Sequence, residues 1–194
     1  PLWSTRVLLD NPELVKELHS DFIKSGAQVI SLNNYTATPF RLRRDASIEL
    51  FDKIHQSAKA VAKAAQVKSG KEYIKIAGSL GPIVASYKPE LVPSYEECIY
   101  DYRKLVKVQQ DGVDLFICET MSTIREAKAS VTAANESGLP SCVSFTLDDR
   151  NPFALRSGEN LSEAIKEMKQ LSVEAIMINC SMPETVSQAL PVLI

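Results

Sequence analysis

Short apolar segments alternate with longer segments of helical periodicity along this chain. The apolar segments are 29–32, 74–77, 113–118, 142–145 and 174–179, and each ends in polar residues. They lack the strict alternation of apolar and polar residues that a strand with one solvated face would show. Continuous apolar runs of this length are typical of parallel strands that are covered on both faces. The pattern therefore predicts five buried parallel strands.

Helix signals lie between these strands. Asn11 and Pro12 predict a helix that ends at Gly26 and buries Leu14, Leu18 and Phe22. A second helix is predicted downstream of Asp45. The remaining starts are predicted at the paired positions Ser94 and Glu97, Thr123 and Glu126, Asn160 and Glu163, and Ser181 and Glu184.

Repeated strand–helix units can form an open doubly wound sheet or a closed barrel. The chain has 7 glycines and neither a GxGxxG nor a Walker pattern, which argues against the open sheet. A (β/α)8 TIM-type barrel needs about 250 residues and eight strands. We therefore expect residues 1–194 to form one α/β domain, an incomplete barrel of about five strand–helix units without its first strand and its C-terminal strands.

Composition and charge argue against several classes of binding partner. The net charge of −2 does not favour nucleic acid or an anionic membrane surface. The local cluster of Arg41, Arg43 and Arg44 is interpreted as a solvated approach to a helix. No apolar run is long enough to cross a bilayer, and no leader is visible. Four scattered cysteines indicate a reducing, cytoplasmic setting, and the start at Pro1 suggests an excerpt of a longer chain.

Two residues at strand ends carry the candidate chemistry, because the carboxyl ends of barrel strands meet on one rim. Cys180 could be a zinc ligand, but Cys98, Cys118 and Cys142 are badly placed to help it, and the residues alone favour a packed cysteine. Glu119 ends a buried strand, where a carboxylate needs a partner. That partner could be a structural arginine or the ammonium group of an amino-acid ligand.

Neutral polar residues on the same rim are candidate substrate contacts, although each is more often a residue that braces a loop. They are Asn33, Tyr35, Ser79, Thr146 and Asn179. No lysine or histidine occupies a strand end. This absence argues against Schiff-base chemistry and against proton abstraction by histidine.

Several segments resemble the homocysteine S-methyltransferase family and occur in that family's order. They are Leu2-Trp3-Ser4, 26–38, 77–82, 112–120, 144–146 and 178–181. The resemblance implies a barrel in which zinc, held by three cysteines, binds the sulfur of homocysteine. Cys180 matches the first of these cysteines, and the other two are expected beyond Ile194. Glu119 matches the glutamate that holds the homocysteine amino group, and Asn33 and Tyr35 fall in the pocket-lining segment.

The implied reaction transfers a methyl group to the zinc-bound thiolate of homocysteine and gives methionine. The Leu2-Trp3-Ser4 opening looks closest to the branch that uses S-methylmethionine or S-adenosylmethionine. Betaine-dependent and corrinoid- or folate-dependent methyltransferases remain alternatives, as do a barrel enzyme of another class, such as a lyase, and a non-catalytic module. The expected partners are small molecules, and the oligomeric state is open.

Overall fold

The computed structural model describes residues 2–193, so the two end residues of the predicted domain, Pro1 and Ile194, lie outside the described part. All five predicted strands are present. The structure also contains a separate two-stranded hairpin that was not predicted from the sequence. The strands are β1 (Val29–Ser31), β2 (Lys75–Leu80), β3 (Leu115–Met121), β4 (Ser141–Phe145), the hairpin strands β5 (Leu147–Asp148) and β6 (Asn151–Leu155), and β7 (Ala175–Ile178).

Helices fill the intervals between the strands, and their capping follows the sequence signals. Asn11 accepts a hydrogen bond from the backbone of Leu14, and Ser94 and Glu97 form both bonds of a capping box. The helices are α1 (Ser4–Asp10), α2 (Pro12–Lys24), α3 (Pro39–Asp45), α4 (Phe51–Ser69), α5 (Tyr95–Gln109), α6 (Ile124–Asn135), α7 (Leu161–Lys169) and α8 (Pro183–Leu193).

The main sheet is parallel, and its strands lie in the order β1-β2-β3-β4-β7. Because this order follows the chain and such crossovers are right-handed, the crossover helices α4, α5, α6 and α7 lie on one face of the sheet. Neighbouring helices pack side by side in the order α2, α4, α5, α6, α7 and α8. This arrangement confirms the predicted α/β fold, a portion of a barrel with five strand–helix units. In residues 2–193, β1 and β7 are the edges of that portion.

Alternation along β3 separates the core from the inner face of the sheet. Phe116 and Cys118 are fully buried under the helices, and burial raises the pKa of the Cys118 thiol to about 12. The intervening residues Ile117 and Glu119 point to the opposite face and are only partly buried. Glu119 therefore reaches the barrel interior, as the strand pattern predicts.

The predicted burial of Leu14, Leu18 and Phe22 is wrong. These side chains are more than half exposed, and α2 instead buries Val15 and Ile23. The helix has two apolar stripes, and only the one that faces α4 has a partner. The other stripe lies beside the free edge of β1, where no strand of the described part covers it.

The prediction of a solvated arginine cluster is wrong for Arg41. Its side chain is buried and donates to the Ser86 hydroxyl at 3.1 Å, with the guanidinium carbon 5.4 Å from the centre of the Tyr35 ring. Arg44, in contrast, lies at the surface and pairs with Asp45. Among residues 2–193 there is no helix with the length and apolar character needed to span a bilayer.

Candidate functional site

Glu119 lies near the carboxyl end of β3, on the inner face of the sheet. Its Oε1 atom accepts a hydrogen bond of 2.6 Å from the hydroxyl of Ser79 on β2. No lysine or arginine of the described part lies within ion-pair distance, so the predicted alternative of a structural arginine is not seen there. Burial raises the pKa of Glu119, and the Ser79 hydrogen bond opposes that rise. A cation placed here would offset the desolvation cost of the carboxylate.

A cleft of about 580 Å³ opens along the edge of β1 that is uncovered in residues 2–193, and this carboxylate is one of its lining residues. Glu119, Asn33 and Tyr35 supply polar groups to its lining, and the exposed stripe of α2 supplies much of its apolar wall. The structure therefore brings three of the predicted site residues to one cavity. Cys180 is not among the residues that line it.

Tyr35 is held from several sides. Its hydroxyl is 2.8 Å from that of Ser86, and its ring stacks on Trp3 with centroids 6.3 Å apart and planes 10° apart. Burial raises the pKa of Tyr35, so the phenol stays protonated at neutral pH. Asn33 donates from its amide to the backbone carbonyl of Ser4 at 3.1 Å. Both residues are thus fixed by the segment 3–4.

The loop that carries Asn33 and Tyr35 is supported by a buried histidine. His55 on α4 accepts from the Asn34 amide at Nδ1, 2.8 Å away, and donates from Nε2 to the carbonyl of Ala37 at 3.1 Å. This pairing needs a neutral ring with its proton on Nε2. Burial lowers the pKa of His55 to about 4.

The protein is expected to lose stability as the pH falls from about 6.5 to about 4 through His55. The unfolded chain takes up a proton near pH 6.5, whereas the folded chain resists it, so this contribution is fully present above that range and vanishes below pH 4. Its size is at most about 3 kcal/mol. Urea unfolding of the full-length protein across this range, compared with His55→Gln, isolates the effect. Equal pH slopes for the two proteins would contradict it.

Cys180 follows β7, and its thiol is exposed on the rim. Two donors contact its sulfur: the amide of Asn179 at 3.5 Å and the hydroxyl of Thr120 at 3.8 Å. Because Thr120 directly follows Glu119, the sulfur and the carboxylate belong to neighbouring parts of one rim. The expectation that Cys180 and Glu119 share one binding site stays a prediction, because Cys180 is not among the residues that line the cleft beside Glu119.

Asn179 links three strands of the sheet. Its Oδ1 accepts from the backbone of Thr120 at 3.1 Å and from the Ser144 hydroxyl at 2.9 Å, and its Nδ2 donates to the Thr120 hydroxyl at 2.8 Å. Thr146 is also a bracing residue, since it is fully buried and donates to the carbonyl of Cys180 at 3.1 Å. The Asn179 amide and the Thr146 hydroxyl are therefore both already hydrogen-bonded within the protein.

Three residues around Cys180 were not identified from the sequence: Thr120, Tyr87 and Arg156. Thr120 and Tyr87 have φ of 62° and 61°, and Cys180 itself has a φ of 51°. Non-glycine residues in this region are strained and cluster at functional sites. Arg156 lies against Tyr87, with its guanidinium carbon 4.9 Å from the ring centre. Interaction with the Cys180 side chain raises the pKa of Tyr87 to about 12.

The other cysteines lie away from this rim, as predicted. Cys98 is buried on α5, Cys118 faces the helices, and Cys142 lies near the start of β4. Residues 2–193 contain no group of three His, Cys, Asp or Glu side chains that could hold a metal ion. Cys180 therefore offers one sulfur ligand without further protein ligands in the part described.

A family model and individual similar sequences point to the same protein family. The family model described as Homocysteine S-methyltransferase matches residues 1–193. Homocysteine S-methyltransferase 1 of Arabidopsis thaliana is 28% identical over 207 residues, which cover 95% of this chain and 63% of that protein. Homocysteine S-methyltransferase of Escherichia coli strain K12 is 30% identical over 209 residues, covering 97% of this chain and 65% of that protein.

The fold of this chain matches that of a solved relative over almost all of this chain. The metallated form of the homocysteine methyltransferase MmuM from Escherichia coli superposes with a TM-score of 0.86 at 28% identity, covering 97% of this chain and 70% of that chain. The chain spans less than two thirds of the length of the curated relatives named above. From the match over residues 1–193, this chain belongs to the homocysteine S-methyltransferase family.

Proposed function

We propose that the full-length protein transfers a methyl group from a sulfonium donor, S-methylmethionine or S-adenosylmethionine, to the sulfur of homocysteine and so forms methionine. The observation that carries the proposal is Glu119, a partly buried carboxylate at a cleft with no ion-pair partner among residues 2–193. The ammonium group of an amino acid would supply the missing charge. Cys180 on the same rim marks the sulfur end of that substrate.

The substrate contacts are part of the proposal. Glu119 binds the ammonium group, and Ser79 orients the carboxylate through their 2.6 Å hydrogen bond. Asn33 and Tyr35 form the adjacent wall of the cleft. Asn179 and Thr146 act indirectly, since their hydrogen bonds hold Thr120 and Cys180 in place.

Zinc is the proposed metal, and Cys180 is the residue of this chain that would hold it. An exposed thiol with two weak donors to its sulfur suits such a ligand, but one thiolate cannot complete a zinc site, so further ligands from the full-length protein belong to the proposal. A metallated form of the relative MmuM supports a metal in this family. When bound, zinc keeps the substrate thiol deprotonated at neutral pH.

The transfer itself is a displacement at carbon. A bond forms between the homocysteine sulfur and the methyl carbon while the bond from that carbon to the donor sulfur breaks, and the donor leaves as a neutral thioether. Such a step needs alignment of the two sulfurs more than it needs an acid or a base. The Trp3 ring, which stacks on Tyr35 and is 56% exposed, offers aromatic surface for a positively charged donor. The four free thiols in the described part support a reducing, cytoplasmic setting.

The test is an assay of the full-length protein with homocysteine and each of S-methylmethionine, S-adenosylmethionine and betaine. We expect methionine with a sulfonium donor, loss of that activity after zinc is removed by a chelator, and recovery when zinc is restored. Activity with betaine alone would overturn the assigned donor. Full activity in zinc-free protein would overturn the role of the metal.

A further inference from the structure

The backbone of Cys180 is held in an unfavourable conformation by groups outside its own strand. Its φ of 51° lies in the left-handed region, which a residue with a Cβ rarely adopts. Such a conformation persists only where the surroundings fix it. The groups that fix it therefore determine where the thiol points.

Two donors converge on the carbonyl oxygen of Cys180. The hydroxyl of Thr146 donates to it at 3.1 Å, and Nη2 of Arg156 donates to it at 3.2 Å. The same guanidinium group donates from Nε to the Thr146 hydroxyl at 3.0 Å. Arg156 thus contacts the carbonyl both directly and through Thr146.

Arg156 is itself fixed in place. Nη2 also forms an ion pair with Asp149 at 3.0 Å, and the Tyr87 ring lies against the guanidinium group. About a quarter of the arginine side chain remains exposed, so the pair is only partly screened by solvent. A planar group with five donors can make all these contacts at once, whereas a lysine ammonium cannot.

The β5–β6 hairpin and its two flanking residues, Thr146 and Arg156, together contact each of the residues 180–182. Besides the contacts to the Cys180 carbonyl, the hydroxyl of Ser181 accepts from the backbone of Leu147 at 2.9 Å. Asp149 in the turn accepts from the backbone of Met182 at 3.0 Å. The hairpin therefore determines the path of the chain between β7 and α8.

We propose that Arg156 is a positioning residue that holds the Cys180 backbone, and with it the thiol, in the orientation that the site uses. The inference rests on the proposed function for what the thiol then does. Arg156 needs no contact with substrate for this role. It acts through the carbonyl of Cys180 and through Thr146.

The first test concerns the conformation alone and needs no metal. In the metal-free full-length protein labelled at cysteine, the coupling between the amide and Hα protons and the Cα shift report the φ of Cys180. We expect Arg156→Ala to lose the left-handed signature and Arg156→Lys to recover it only in part. Arg103→Ala, which removes an exposed ion pair with Glu136, is the matched control and should keep the signature.

The second test measures zinc affinity by competition with a chromophoric chelator. Because residues that orient metal ligands typically contribute about 10–100-fold to affinity, we expect Arg156→Ala to bind zinc at least about tenfold more weakly than Arg103→Ala. An unchanged Cys180 signature together with unchanged affinity would overturn the positioning role and leave the proposed function intact. If the unmodified protein binds no zinc while Arg156→Ala still alters the signature, the proposed metal fails and the positioning role stands.

Discussion

Replacing Cys180 by serine in the full-length protein is expected to abolish zinc retention and methyl transfer together. A hydroxyl is a poor zinc ligand compared with a thiolate. Changes to residues that merely orient ligands already cost about 10–100-fold, so the loss of a ligand should reduce activity at least about a hundredfold. Zinc content after gel filtration and the rate of methionine formation measure the two effects.

Cys142→Ser is the matched control for this substitution. Cys142 is also a free thiol that is not fully buried, but it pairs with Ile117 and Ala175 near the amino ends of the strands. We expect this variant to keep its zinc and its activity. The proposed role of Cys180 would fail if Cys180→Ser retained both properties, or if the two variants lost them equally.

The strands and helices of this fold could be predicted because their signals are local. Asn11, Ser94 and Asn160 each predict a helix start, and each side chain accepts a backbone hydrogen bond in the first turn. Thr123 does so as well. Such contacts depend on residues two or three positions apart, so a sequence contains all the information they need.

Burial was predicted less well, because it depends on what lies opposite a side chain. Helix α2 has two apolar stripes, and helical periodicity does not say which of them packs against another element. Leu14 and Leu18 belong to the stripe that stays exposed. Arg41 shows the reverse case, since it is charged in sequence but buried against Tyr35 and Ser86. Both outcomes depend on contacts between elements that are distant along the chain.

The candidate site divides in the same way. Glu119 and Cys180 could be proposed because each lies at the end of an apolar segment, and a barrel gathers such positions on one rim. Tyr87, Thr120 and Arg156 could not, since neither a left-handed backbone nor a contact with Cys180 has a signature in the residue types. Thr120 lies within β3, whereas Tyr87 and Arg156 lie outside the strands, and the fold brings all three together only through contacts between distant segments.

Glu119→Gln is expected to raise the KM for homocysteine while the folded protein becomes no less stable. Glutamine keeps the size of the side chain and can still accept the hydrogen bond from Ser79, so only the charge is removed. A hydrogen bond to a charged group is worth about 1.5–3 kcal/mol, which predicts a KM about tenfold to a hundredfold higher. Steady-state kinetics at saturating donor measure this change.

Stability separates this role from a structural one. Burial raises the pKa of Glu119, so the ionised carboxylate destabilises the ligand-free fold at neutral pH, and its neutral replacement should unfold at the same or a higher urea concentration. Glu136→Gln, at an exposed ion pair with Arg103, is the control and should leave KM unchanged. An unaltered KM in Glu119→Gln would exclude this carboxylate as the partner of the substrate ammonium. A higher KM that came with a clear loss of stability would instead assign Glu119 to the support of the fold.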